Sequence, residues 1–176
     1  MFTLMKNFFL SIIFLFLSFS GFTFVNAEEQ SLEVKETEVN FFSGMFDFSD
    51  DKQASGIIGL QHQNDDLYRK SFLGNLSPIT GGFITEKNAM YFYTGAQAEY
   101  DLGLFTITPS FAPGYYNSGN GKDLGSALEF KTEVQMSMNL SDSAAFGMSY
   151  NHISNASLGD KNPGANSYMI NFLKQF

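Results

Sequence analysis

The chain has 176 residues, no cysteine, and 18 acidic against 10 basic side chains, which gives a formal net charge of −8. The lack of cysteine excludes disulfides, thiolate metal sites and a catalytic thiol. The acidic balance argues against a nucleic-acid partner, which would require a basic patch or stripe. No phosphate-binding glycine loop or metal-ligand motif of recognised spacing occurs, so we expect neither a metal nor a cofactor.

The first 27 residues have the composition of a secretory signal peptide. Lys6 precedes an apolar run over residues 8–25, and Val25-Asn26-Ala27 supplies small residues before a cleavage point. A membrane anchor is the alternative, because a run of this length is at the lower limit for a spanning helix. Charged residues directly after Ala27 favour cleavage. We predict a signal peptide over 1–27, a short periplasmic lead over 28–37 and one domain over 38–176.

Beyond residue 37, apolar residues recur with period two, which predicts β-strands rather than helices. In the segment 128–140, apolar residues such as Val134 alternate with polar or charged ones such as Glu133. This segment is longer than the usual strand of about 5–6 residues, but it suits a tilted strand that crosses a bilayer. Similar alternation predicts seven further strands around residues 42–48, 58–63, 69–85, 90–99, 105–111, 146–150 and 168–175.

Eight such strands predict an all-β fold, an eight-stranded antiparallel transmembrane up-and-down β-barrel. Eight is an even number and the smallest common count for bacterial outer-membrane barrels. Closure satisfies every backbone hydrogen-bonding group within lipid. Polar side chains would fill the narrow interior, where Glu129, Lys131 and Glu133 can pair. A soluble β-sandwich or lipocalin-like barrel with its apolar face inward is the alternative, but it would have to cover the charged faces of these strands.

The alternation also predicts the environment of single residues. On the first strand, Phe42, Phe46 and Phe48 are expected to face lipid. Pro109 is expected to cause a bulge or an early end of strand pairing, because a closed barrel has no edge strand for it. Four tyrosines are expected in aromatic belts at the membrane interface: Tyr91, Tyr93, Tyr115 and Tyr116.

A polar cluster interrupts the apolar face of the last predicted hairpin. Continuing the seventh strand at period two places His152 and Ser154 on the lipid-facing side, and reading the eighth strand backward places Asn166 there. With a periplasmic N-terminus, this cluster would face the lipopolysaccharide of the outer leaflet. A nucleophile, a base and a group that orients the base is the general arrangement for acyl transfer. The alternative is that His152 and Ser154 are ordinary polar residues of the interface.

The block HISNASLGDKNPG, which begins at His152, resembles the lipid A deacylase family called PagL, also described as acyloxyacyl hydrolase-like. The segments LGSALEFKTEV at 124–134 and LSPITGGFITEKNAMYFYTGAQAEYDLG at 76–103 extend the resemblance. It implies an outer-membrane barrel that removes the 3-linked acyl chain of lipid A with a Ser-His-Glu triad on the barrel exterior and without a cofactor. By motif position, His152 would be the base and Ser154 the nucleophile, and Asn155 could help to hold the oxyanion.

The third member of the triad departs from the family pattern. Asn166 occupies the position at which the family usually has glutamate. An amide oxygen can orient the imidazole but offers no negative charge, and in serine proteases the corresponding change lowers turnover about ten-thousand-fold. Asp160 could supply the charge if its loop folds back. The sequence therefore favours an outer-membrane esterase that acts on lipopolysaccharide. The alternative is a catalytically weak or inactive structural or ligand-binding barrel, and a homodimer is possible in either case.

Overall fold

A computed structural model describes residues 37–64, 69–71 and 74–176. The chain divides into residues 1–34 and 35–176, and every described residue belongs to the second unit. The predicted signal peptide and all of the predicted lead except Thr37 lie outside the described residues. Within the described part, no helix is long and apolar enough to cross a membrane. The strands are β1 (Glu38–Phe46), β2 (Ser55–Gln63), β3 (Arg69–Ser71), β4 (Gly74–Thr85), β5 (Met90–Asp101), β6 (Thr106–Asn117), β7 (Leu128–Ser141), β8 (Ala144–Ser154) and β9 (Ala165–Gln175).

The pairings among the described residues close a barrel of eight antiparallel strands. β1 pairs with both β2 and β9, β2 pairs with β4, and β4 to β9 pair in chain order. β3 pairs with residues 74–76 of β4, on the side of β4 that pairs with β2 at residues 79–85, so it continues the position of β2 in the ring. The strand predicted over 69–85 is thus two strands, because the chain turns back before Gly74, which has a φ of +95°. The predicted all-β barrel is confirmed.

The barrel is apolar outside, and its interior holds both polar groups and a cluster of buried apolar side chains. Apolar side chains on the outer face are exposed, as at Ile58, Phe92 and Met148. Inside, Lys131 forms an ion pair with Glu133 at 3.2 Å, and both side chains are buried. Other interior polar groups form hydrogen bonds that link strands on opposite sides of the lumen. Its members include Asn40, Gln61, Tyr93, Gln97, Gln135, Asn151 and Asn171.

The prediction for the first strand was wrong for Phe42 and Phe46, whereas Phe48, which follows the strand, is exposed as predicted. Phe42 and Phe46 are buried inside the barrel, whereas Phe41 and Met45 are exposed on its outer face. The reason is local packing, because the ring of Phe42 fills the space that a side chain at Gly59 would need. With aromatic residues at both parities of β1, the sequence pattern could not determine which set faces inward.

The predicted tyrosine belt was mostly wrong as well. Tyr91, Tyr93 and Tyr116 are buried in the lumen, and of the four only Tyr115 is exposed. The Tyr91 hydroxyl lies 2.9 Å from the carbonyl oxygen of Ala112 and 3.0 Å from that of Glu129, and it can donate its single proton to either. Buried hydroxyls require such partners. These rings therefore fill the interior of the barrel and do not lie at the membrane interface.

Pro109 neither ends β6 nor shifts its register. β6 continues to Asn117 and pairs with β7 through both Pro109 and Pro113. On the other side, the ladder to β5 is interrupted beside each of the two prolines and then resumes in the same register. The missing N–H of each proline therefore removes hydrogen bonds only on the side that faces β5. The expected bulge or early end of strand pairing does not occur.

Four connections meet at one end of the barrel, which we call the loop end: residues 47–54, 86–89, 118–127 and 155–164. The backbone N–H of Asn120 donates to the carbonyl of Lys87, and the ammonium group of Lys87 donates to the carbonyl of Lys52. The connections at the opposite end between β5 and β6 (residues 102–105) and between β7 and β8 (residues 142–143) are shorter than three of the four connections at the loop end. This asymmetry is typical of outer-membrane barrels, in which the long loops are extracellular.

Candidate active site

His152 and Asn166 form a pair across neighbouring strands at the loop end. They are direct partners in the β8–β9 ladder, and both are half-buried on the outer face. The His152 Nδ1 and Asn166 Oδ1 atoms are 2.8 Å apart. A carbonyl oxygen can only accept, so this contact requires the proton of a neutral imidazole to be on Nδ1. The other nitrogen, Nε2, is then left with a lone pair.

Asn166 is held by more groups than the imidazole. Its Oδ1 also accepts a hydrogen bond from the Tyr150 hydroxyl at 2.9 Å, and its Nδ2 donates to the Ser49 hydroxyl at 3.3 Å. The backbone of Asn166 is fixed by the connection after β1, because its N–H donates to Asp47 Oδ1 at 3.4 Å and its carbonyl accepts from the N–H of Phe48 at 3.0 Å. The side chain that orients His152 is thus itself held by Tyr150 of β8 and by Ser49 of the connection after β1.

Asp47 is the buried acid nearest to this cluster. Its carboxylate has no exposure and forms an ion pair with Lys122 at 2.7 Å. Ser49 lies 3.5 Å from Asp47 Oδ1 and can donate to it. Asp47 has a φ of +51°, in the left-handed region that aspartate tolerates better than most residues. Lys122 comes from the connection between β6 and β7, so three segments of the chain meet behind Asn166.

Ser154 is the last residue of β8 and lies two positions from His152 on the same face. It pairs with Phe130 of β7 but lies beyond the last pair of the β8–β9 ladder, so one side of it is open. Among the described residues, no hydrogen bond joins its hydroxyl to His152. Immediately afterward, Ala156 and Ser157 both have positive φ values, of 53° and 64°, and turn the chain away from the strand.

Gly164 makes room for the imidazole. A Cβ atom at this position would lie 2.7 Å from His152 Cε1 and 3.2 Å from His152 Nε2. Its φ of +63° independently favours glycine. The sequence indicated Gly164 only as the last residue of the block HISNASLGDKNPG. Its position two residues before Asn166 was the available signal for contact with His152, since residues two apart share a strand face.

Asn155 fastens the loops rather than facing open space. It is fully buried, and its Nδ2 donates to the carbonyls of Leu124 and Lys161, both at 2.8 Å. Its backbone N–H donates to Asn162 Oδ1 at 3.1 Å, and its own Oδ1 accepts from the N–H of Ser157 at 3.0 Å. In this conformation each of its N–H donors has an acceptor within the protein.

An ion pair joins the two longest connections of the loop end across their exposed surface. Lys161 lies 2.7 Å from Asp123, with both side chains more than half exposed. The hydrogen bond from Lys161, together with one from the N–H of Gly125, holds the pKa of Asp123 below its ordinary value.

Asp160, the acid suggested by the sequence, is exposed and has no hydrogen bond or ion pair with His152 in the described structure. Asp47 lies far from the cluster in sequence, and no motif marked it.

A closed barrel with an apolar exterior and a filled lumen that holds buried charged and amide groups is typical of an integral outer-membrane β-barrel protein. The chain belongs to the lipid A 3-O-deacylase (PagL) family, whose sequence model matches residues 58–174. The protein is therefore assigned to the bacterial outer membrane, as the sequence predicted.

Two solved structures resemble the barrel. The crystal structure of the outer-membrane enzyme PagL superposes with a TM-score of 0.62 at 18% identity and covers 79% of this chain and 99% of its own. A de novo designed transmembrane β-barrel gives a TM-score of 0.54 at 11% identity and covers 85% of this chain and 100% of its own. At these identities the likeness concerns the fold. A search of curated proteins gives no significant match.

Proposed function

We propose that this protein hydrolyses the 3-O-linked acyl ester of lipid A, with Ser154 as nucleophile and His152 as general base. The observation that carries the proposal is the contact of 2.8 Å between His152 and Asn166 on the outer face, with Ser154 two residues along the same strand. Membership of the lipid A 3-O-deacylase family supports the choice of substrate. The outward position supports it as well, since a lipid ester would reach these groups from the membrane.

The proposed reaction follows the usual steps of acyl transfer. His152 Nε2 takes the proton of the Ser154 hydroxyl while Oγ attacks the ester carbonyl carbon. The resulting tetrahedral intermediate collapses, and His152 returns the proton to the leaving 3-hydroxyl group of lipid A. Water then attacks the acyl-enzyme with His152 as base, which releases a fatty acid and restores Ser154. The hydrogen bond between His152 and Ser154 would form when substrate binds, as catalytic hydrogen bonds often tighten only in the complex.

Within this mechanism, Asn155 is proposed as a positioning residue. Its buried amide ties the end of β8 to the connections that contain Leu124 and Lys161. This would fix the backbone directly after the nucleophile, where the tetrahedral oxyanion develops. The role of oxyanion donor suggested by the sequence would require one of its engaged N–H groups to be released.

Mass spectrometry of lipid A tests the function. Cells that express the wild-type protein are expected to lose one 3-linked acyl chain from lipid A, whereas Ser154→Ala should leave the profile unchanged. Ser141→Ala, at the end of β7 that lies away from the loop end, is the matched control and should behave as wild type. Purified protein in lipopolysaccharide-containing vesicles should release the corresponding fatty acid. An unaltered profile with folded wild-type protein in both settings would favour the catalytically inactive barrel, for which Asn166 in place of glutamate is the specific argument.

A further inference from the structure

An asparagine that orients a histidine has a difficulty that a glutamate does not have. The two carboxylate oxygens of glutamate are equivalent acceptors, but the side-chain amide of Asn166 has one acceptor end and one donor end. If the amide were rotated by 180°, Nδ2 would donate to His152 Nδ1, and the imidazole proton would have to be on Nε2. The ring would then have no lone pair directed away from Asn166, and it could not act as a base toward Ser154.

The groups behind Asn166 determine which end faces His152. Asp47 is paired with Lys122 at 2.7 Å, and as a carboxylate it can only accept hydrogen bonds. The Ser49 hydroxyl therefore donates to Asp47, and its oxygen presents lone pairs to Asn166. Only the Nδ2 end of Asn166 can satisfy those lone pairs. Tyr150 does not determine the choice, because its hydroxyl can either donate or accept.

We propose that Asp47 and Ser49 are positioning residues that fix the side-chain amide of Asn166 and thereby hold His152 in the tautomer with its proton on Nδ1. Because the Asp47 carboxylate accepts from the Ser49 hydroxyl, the Ser49 oxygen accepts from Asn166 Nδ2. Asn166 Oδ1 is then the end that accepts from His152 Nδ1. The catalytic consequence of this inference rests on the proposed function. The tautomer itself does not, and it can be measured on the folded protein without any substrate.

The test is a comparison of Ser49→Ala in two backgrounds. Ser49 is exposed, so the variant is expected to fold. In the natural background, kcat should fall about tenfold with KM nearly unchanged, the size expected from the loss of one hydrogen bond. In the Asn166→Glu background the same substitution should change kcat by less than about twofold, because a carboxylate needs no fixed orientation. Ser43→Ala, an exposed serine on β1, is the control and should leave kcat unchanged in both backgrounds.

An equal loss in the two backgrounds would contradict the proposal, since it would make Ser49 a general structural support. No loss in an active natural background would contradict it as well. Nitrogen-15 NMR of histidine-labelled protein supplies the second readout. The chain has two histidines, so His62→Gln assigns the His152 signals. Neutral His152 should carry its proton on Nδ1 in the wild type and become a tautomer mixture in Ser49→Ala. The proton on Nε2 in the wild type would overturn the inference even if no deacylase activity is found.

Discussion

At the scale of single residues, the candidate site depends on how an amide replaces a carboxylate. Asn166 keeps the geometry of the pair with His152, at 2.8 Å, but it contributes no charge to stabilise the imidazolium that forms during acyl transfer. The nearest buried carboxylate is Asp47, whose charge Lys122 offsets. We therefore expect orientation, rather than electrostatic stabilisation, to be what the surroundings of Asn166 provide.

Gly164→Ala should lower kcat with little loss of folding. A Cβ atom 2.7 Å from His152 Cε1 would push the imidazole away from Asn166 and Ser154, and displacement by about 1 Å can cost about a hundredfold in rate. The control is Gly103→Ala, because Gly103 also has a positive φ, of 86°, but has open space around it. Both variants carry similar backbone strain. Equal activity of the two in the deacylase assay would show that contact with His152 is unimportant.

At the scale of strands and loops, the site depends on the fastening of the loop end. The buried amide of Asn155 links the end of β8 to the two longest connections. The exposed pair of Lys161 with Asp123 adds a second link between the same connections. The first should contribute more, because buried hydrogen bonds are shielded from water, whereas exposed ion pairs contribute little.

The Lys161–Asp123 link should weaken in acid. The pKa of Asp123 is lowered in the folded protein, so its contribution is present above the ordinary aspartate value of about 4 and is lost as the pH falls below it. A spin label at Leu158→Cys, unique because the chain has no cysteine, should become more mobile over that pH range. In Asp123→Asn the spin label should be more mobile already at about pH 7, whereas in Asp160→Asn its mobility should match the wild type. Unchanged mobility in Asp123→Asn would contradict this role.

At the scale of the whole molecule, the barrel buries charged and amide groups inside and presents apolar side chains to lipid. Inside, the buried Lys131–Glu133 pair and the amide hydrogen bonds of the lumen accompany a cluster of buried apolar side chains, among them Phe46. The outer face consists of half-exposed apolar residues along every strand of the ring. This arrangement places His152, Ser154 and Asn166 against the membrane. A homodimer through the outer face stays a prediction.

Met148→Arg tests the inside-out arrangement. Met148 is 57% exposed at the middle of β8, between Met136 and Ile170 on the neighbouring strands. An arginine there should lower the free energy of unfolding in phospholipid vesicles by about 2–4 kcal/mol. Met148→Leu should change it by less than about 1.5 kcal/mol. If arginine were tolerated as well as leucine, the face would contact water, as in a soluble barrel.

The sequence by itself determined the barrel, its strand count and the outward position of His152, Ser154 and Asn166, because period-two alternation directly reports which side chains share a face. It failed where alternation is uninformative, as at Phe42 and Phe46, whose strand carries aromatic residues on both faces. Only the tertiary structure decided the surroundings of Asn166. Asp47 and Ser49 contact Asn166 from a connection distant in the chain, and Lys122 of another connection pairs with Asp47. Such contacts follow from barrel closure and loop packing, which no local pattern encodes.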